Sequence, residues 1–160
     1  MSENMNTENT TMETPPRRRR ASKEQVGRLL AEREQMLLLM CGLNDMLGSE
    51  TDPQPGQKLQ DFCQILMDYI AAGHFGLYQR IISDTERRQE VTHLAAEIYP
   101  EIDEATRIAL AFNERYQDTG RLDGSETLSR DLSQLGEVLA ARIELEDELI
   151  AAMRLKRVPP

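Results

Sequence analysis

The chain has no tryptophan, three phenylalanines and four tyrosines in 160 residues. Its core must therefore be built from Leu, Ile, Met and Ala rather than rings, a composition that reads as helical. Two cysteines and two histidines supply neither a disulfide framework nor a zinc site, and no cofactor or metal is expected. Cys41 and Cys63 each sit in apolar helical pattern, where a free thiol is expected as a small buried hydrophobe. No run approaches the roughly 20 apolar residues of a membrane span. The opening MSENMNTENTTMETPP lacks the basic-then-apolar order of a signal peptide, so a cytoplasmic protein with no membrane partner is expected. The nine glycines are scattered singly and make no phosphate-cradling loop. Positive charge is also scarce, with 19 Lys and Arg against 28 Asp and Glu. A surface short of Lys and Arg cannot neutralise phosphates, which argues against direct nucleic-acid binding and for a basic protein partner.

The hydrophobic fraction of 39% is enough for one core and one domain. Residues 1–21 are Asn, Thr, Glu and Pro followed by Arg17, Arg18, Arg19 and Arg20, a composition expected to form a disordered tail. This Arg run has several readings: a weak, salt-sensitive grip on nucleic acid or an acidic partner, folding back on the domain, or a solubilising tail. Residues 21–160 hold 15 basic and 25 acidic side chains, a net charge of −10, so the acidity belongs to the expected helical domain, residues 22–156. Residues 157–160 read as a C-terminal tail.

Apolar spacing predicts an all-α antiparallel four-helix bundle with additional short helices. A capping box at Ser22 and Gln25 opens the first helix, which continues through Leu29, Leu30, Met36, Met40, Leu43 and Leu47. Residues 49–57, with two prolines and a glycine, predict a loop. Leu59, Phe62, Ile65, Leu66, Tyr69 and Ile70 form a strongly amphipathic helix that Gly73 is expected to cap. A short helix over Phe75–Ile82 and a polar stretch from Ser83 follow. Pro100 fits the first turn of a helix running to about Gln117. The last helix, from Ser125, carries Leu128, Leu132, Leu135, Leu139, Ile143, Ile150 and Met153 on one seam.

On a helical wheel Glu146 falls in the middle of that seam with Arg142 one turn back on its edge, so both are expected to point inward. An Arg–Glu pair four residues apart neutralises itself, with Tyr69 or His74 from another helix completing the hydrogen bonds. Two readings stand: a pair that fixes helix register, or a binding pocket. Glu90-Val91-Thr92-His93 has the Glu-x-x-His spacing of carboxylate-bridged metal bundles, but those need two copies and this chain has one. Neither cysteine lies in a pKa-lowering motif, and no nucleophile is evident, which argues against an enzyme. Outward, Asp61 and Asp68 share a flank of the second helix, about 240–260° from Phe62 on the wheel. The last helix adds Glu137, Glu144, Asp147 and Glu148.

Residues 59–75, LQDFCQILMDYIAAGHF, with Tyr78 beyond them, resemble the DFCQ…DY…AGHF…Y segment of the Rsd/AlgQ family of bacterial anti-sigma factors. Residues 135–150, LGEVLAARIELEDELI, resemble the same family's LGE-x-L-x-AR…LED-x-L signature. In the first helix the family's DRWL…R reads here as Gly27-Arg28-Leu29-Leu30 before Arg33, without the acid and the tryptophan. The resemblance implies an all-helical protein that binds the primary sigma factor of RNA polymerase, chiefly its C-terminal helix-turn-helix domain. A short acidic bundle that must present a face to sigma is more simply a monomer, though the sequence leaves the oligomeric state open. The resemblance also implies lower housekeeping transcription and an advantage for alternative sigma factors. Carried residue by residue, it implies Asp68, Asp61 and Arg33 as sigma-binding residues, and Tyr69, His74, Arg142 and Glu146 as an interior polar cluster. The alternative from another class is a bundle that binds a small ligand or metal through Glu146, His74 and Tyr69.

Overall fold

The computed structural model describes residues 14–47, 55–78, 81, 89–117 and 125–154. Four long helices make up nearly all of it: α1 (Thr14–Leu47), α2 (Pro55–Ala71), α3 (Gln89–Tyr116) and α4 (Ser125–Arg154). A π-helical segment, Ala72–Tyr78, prolongs α2 without a break. No strand occurs among the described residues.

The register of side-chain contacts gives the topology. Near one end of the bundle the Phe62 and Phe112 rings meet edge to face at 5.8 Å. Near the other, Leu29 of α1 lies against Gly73 beyond the end of α2. Between α1 and α4, Met40 approaches Gly136 while Arg33 reaches Asp147, and between α3 and α4, Arg115 reaches Asp131 while Thr106 meets Arg142. Rising numbers on one helix meet falling numbers on the next, so successive helices run antiparallel. The core between them contains Leu29, Met36, Leu59, Phe62, Leu66, Leu77, Leu132, Leu135 and Leu139, all essentially inaccessible to water. Aliphatic burial at about 25 cal/mol per Å² thus does the work that rings do elsewhere.

Several boundaries differ from the expected ones. α1 starts at Thr14 rather than Ser22. Pro15 and Pro16 are tolerated there because the first turn's N–H groups have no intrahelical acceptor to lose. The residues of the expected capping box are therefore interior to the helix, and Arg17–Arg20, expected in a disordered tail, belong to α1. Residues 1–13 and 155–160, with the rest of the tail readings, lie outside the described residues. α2 starts at Pro55, inside the expected loop, again with proline in the first turn.

Pro100 lies within α3 instead of opening a helix. Its missing N–H leaves the Ala96 carbonyl without its usual donor, but Ala96, Tyr99 and Pro100 are on the exposed face while Ile98 and Ile102 are buried. Water can serve that carbonyl, so the helix continues. Gly73 does not cap α2. It is buried, its backbone has no positive φ, and the chain passes through it into the π segment.

Candidate functional site: a buried polar layer and an acidic edge

In α4 the positions 128, 132, 135, 139, 142, 146 and 149 alternate steps of four and three, and all seven are buried. Five are leucine, and the other two are Arg142, 1% exposed, and Glu146, 0% exposed. The heptad spacing that drives leucines into the core thus carries a guanidinium and a carboxylate with them. Arg142 Nε donates to Glu146 Oε2 at 3.2 Å. Each remaining helix sends a polar group to this level. Tyr69 of α2 donates its hydroxyl hydrogen to Glu146 Oε1. Thr106 Oγ1 of α3 accepts from Arg142 Nη1 at 2.8 Å. Arg33 of α1 donates through Nη2 to Glu146 Oε1 at 3.4 Å and through Nη1 to Asp147 Oδ1 at 2.8 Å.

Glu146 accepts from three side chains on three helices, which is how a carboxylate is tolerated where water cannot reach it. The Arg142 guanidinium also lies 5.3 Å from the Tyr69 ring centroid, a cation–π distance. Burial acts to lower the Arg33 pKa, but the hydrogen bond to Asp147 and the charges of Glu146 and Asp147 more than offset it, leaving it raised. Burial, then the Glu146 charge, pushes the Tyr69 and Tyr78 hydroxyls well above the ordinary tyrosine range, so both stay protonated. Arg33 Nε, Arg142 Nη2 and Tyr78 Oη are buried with no hydrogen-bond acceptor or donor among the described residues. Gly73 closes the layer from the π segment. A Cβ there would stand 2.8 Å from Arg142 Nη2 and 3.3 Å from Glu146 Oε2, so a larger residue would have to push the guanidinium off its place in the ion pair.

Tyr69, Arg142 and Glu146 are thus brought together as expected, while His74 is not. It is exposed, with its ring edge-on to Phe75 at 4.8 Å. The wheel that turned it inward assumes 100° per residue, and the wider π turn breaks that count. Arg33, expected on a contact surface, is turned inward with 11% of its side chain exposed. It occupies the step between Leu29 and Met36 on the buried seam of α1, a spacing that identifies it as interior. Tyr78 and Thr106 were not assigned to the cluster: Tyr78 ends the π segment, and a threonine four residues from Ile102 has no distinctive pattern.

Outside the core, Asp61 and Asp68 are both exposed on α2, seven residues apart and hence on one face. Each accepts from the glutamine one turn earlier, Gln57 Nε2 at 2.9 Å and Gln64 Nε2 at 3.4 Å. Phe75, 62% exposed, stands beyond them on the π segment. Cys63 is buried and its thiol is pushed up to about 12 by burial, whereas Cys41, expected to be buried, is exposed. His93 is exposed and pairs with Glu97 at 3.2 Å. Among the described residues no group of three or more His, Cys, Asp or Glu is placed to hold a metal ion, and no helix is long and apolar enough to cross a membrane.

Residues 9–154 match the family described as regulator of RNA polymerase sigma(70) subunit, Rsd/AlgQ. The protein named regulator of sigma D from Yersinia enterocolitica is 35% identical over 134 residues, spanning 81% of this chain and 80% of its own. That from Shigella dysenteriae is 35% identical over 135 residues, spanning 82% and 84%. No solved structure matches. With the match covering all four helices and both the acidic edge and the buried layer, the chain belongs to the Rsd/AlgQ family of sigma(70) regulators.

Proposed function

We propose that this protein is a non-enzymatic, cytoplasmic anti-sigma factor that binds the primary sigma factor of RNA polymerase, chiefly through its C-terminal promoter-reading domain. Membership of a family of sigma(70) regulators carries this reading, and the relatives named regulator of sigma D support it. The exposed pair Asp61 and Asp68 is the part of the surface suited to the task. A helix-turn-helix module that reads promoter DNA presents cations to phosphate. Two carboxylates on one helix face, with an exposed aromatic ring beyond them, offer such a module both charge and a desolvated anchor. Occupying that face removes sigma from promoters, lowers housekeeping transcription and leaves core polymerase to alternative sigma factors. Arg33 is not assigned to this contact, because its guanidinium is committed to Glu146 and Asp147.

Titration calorimetry of the purified chain with the isolated sigma C-terminal domain at low salt tests the proposal. A saturable complex is expected, weakening as salt rises. Asp68→Lys is expected to weaken it by roughly tenfold or more with unchanged helicity, since the side chain is exposed and only charge complementarity is lost. Absence of binding at low salt would overturn the reading.

A further inference from the structure

Within α2 one seven-residue unit occurs twice. Residues 57–63, QKLQDFC, and 64–70, QILMDYI, share glutamine at the first position, leucine at the third, aspartate at the fifth and an aromatic ring at the sixth. A heptad drifts only about 20° round a straight α-helix, so equivalent positions of the two units fall on the same face. The third and sixth positions face the core: Leu59, Phe62, Leu66 and Tyr69 are all 0% exposed. Tyr69 is held further by the hydrogen bond from its hydroxyl to Glu146. Packing therefore fixes the rotation of α2 about its own axis. The first and fifth positions, Gln57, Asp61, Gln64 and Asp68, are all exposed. In each unit the glutamine Nε2 donates to the aspartate one turn later, at 2.9 Å in the first and 3.4 Å in the second. Both amides take Oδ1, which leaves Oδ2 for another donor.

We infer that Gln57 and Gln64 are positioning residues for sigma binding: each holds the carboxylate one turn after it in a single orientation, with one oxygen presented to a cation of the partner. The inference rests on the anti-sigma reading above and on the part that Asp61 and Asp68 play in it. An aspartate alone on a helix surface samples several rotamers and loses that freedom when a cation binds, a cost that pre-organisation removes from the binding step. A glutamine four residues before an aspartate is placed to supply the organising donor, and the pair adds little to the stability of the helix itself. Its effect is therefore expected in binding rather than in folding. Seven residues at 1.5 Å each put the two carboxylates about 10 Å apart along the axis. That is too far to share one ammonium or guanidinium group, so the edge takes two cations, one per unit, and the partner must present two Lys or Arg groups at that spacing. The shorter hydrogen bond makes Gln57 the stronger of the two positioning residues.

Titration calorimetry of the full chain against the isolated sigma C-terminal domain tests this with Gln57→Met, Gln64→Met, Asp61→Ala, Asp68→Ala and the double variant within each unit. Methionine keeps the length and helix propensity of glutamine and removes the donor. Gln57→Met is expected to raise the dissociation constant about fivefold and Gln64→Met about threefold. The salt dependence of binding should not change in either, because no charge is lost. Asp61→Ala and Asp68→Ala are expected to flatten the salt dependence, and their effects to add, since each carboxylate has its own cation. On an Asp61→Ala background Gln57→Met is expected to have no further effect, and Gln64→Met none on an Asp68→Ala background. A glutamine that touched sigma itself, or that merely held α2 together, would lose the same affinity whether or not the aspartate was present. Wild-type binding with such additive losses, or with both glutamine variants at wild-type affinity, would overturn the inference and leave the anti-sigma reading standing. Absence of wild-type binding at low salt would overturn both.

Discussion

Glu146 shows how a buried charge can be stabilised by several helices at once. Its carboxylate accepts from Tyr69, Arg33 and Arg142, each on a different helix. Removing the acid alone strands Arg142 with no counterion where water cannot screen it. Glu146→Ala is therefore expected to destabilise the fold by about 3–5 kcal/mol, whereas Arg142→Met combined with Glu146→Leu should recover most of that loss. Urea unfolding of Arg142→Met, Glu146→Leu and the double variant closes the cycle, and additive losses would show that the pair is not coupled. The inward placement of Glu146 was legible because the seam of α4 is regular, so one angle per residue suffices. His74 and Tyr78 were not, because they lie on or beyond a turn of different pitch. Cys41 was misread by belonging to an apolar run: its neighbour Met40 faces the core and Cys41, one step round, faces water.

At the scale of elements, the long helices were legible from apolar periodicity and their ends were not. Two of the boundary differences involve proline: Pro55, expected in a loop, opens α2, and Pro100, expected to open a helix, lies within α3. Pro100 is the clearest case, since Ile98 and Ile102 are held in the core on either side of it and the unmade hydrogen bond faces solvent. Relief of that defect should be measurable. Pro100→Ala restores an N–H donor at an exposed site and is expected to stabilise the protein by about 1–3 kcal/mol, read as a higher urea midpoint at unchanged slope.

For the whole molecule, the acidic balance that first argued against nucleic acid is divided between two surfaces and an interior. Asp61 and Asp68 face out, Glu146 faces in, and Asp147 closes the rim through Arg33. The fold also sets an alkaline limit. Burial raises the Cys63 thiol from 9.0 to about 12, and burial with the hydrogen bond to Asp131 raises Tyr116 from 10.0 to about 12. Folded protein keeps protons that the unfolded chain releases above pH 9, so these contributions are complete below pH 9 and are lost as pH rises towards 12. Stability by urea titration is expected to be level from pH 7 to 9 and then to fall, by up to about 1.4 kcal/mol per pH unit from Cys63. Cys63→Ala should delay the onset by about one pH unit, to where Tyr116 begins to titrate.

The π segment has a consequence for chain length. One turn of it holds an extra residue compared with an α-helix, which is what brings Tyr78 round to the interior. Deleting one residue between Ala72 and Tyr78 would let the turn relax to α-helical pitch with Tyr78 and Ile81 still on the core side, because the lost residue and the tighter pitch nearly cancel. Inserting one has no such relaxation and would rotate everything after it by about 100°, taking Tyr78 and Ile81 out of the core together. The segment thus tolerates the loss of a residue far better than the gain of one.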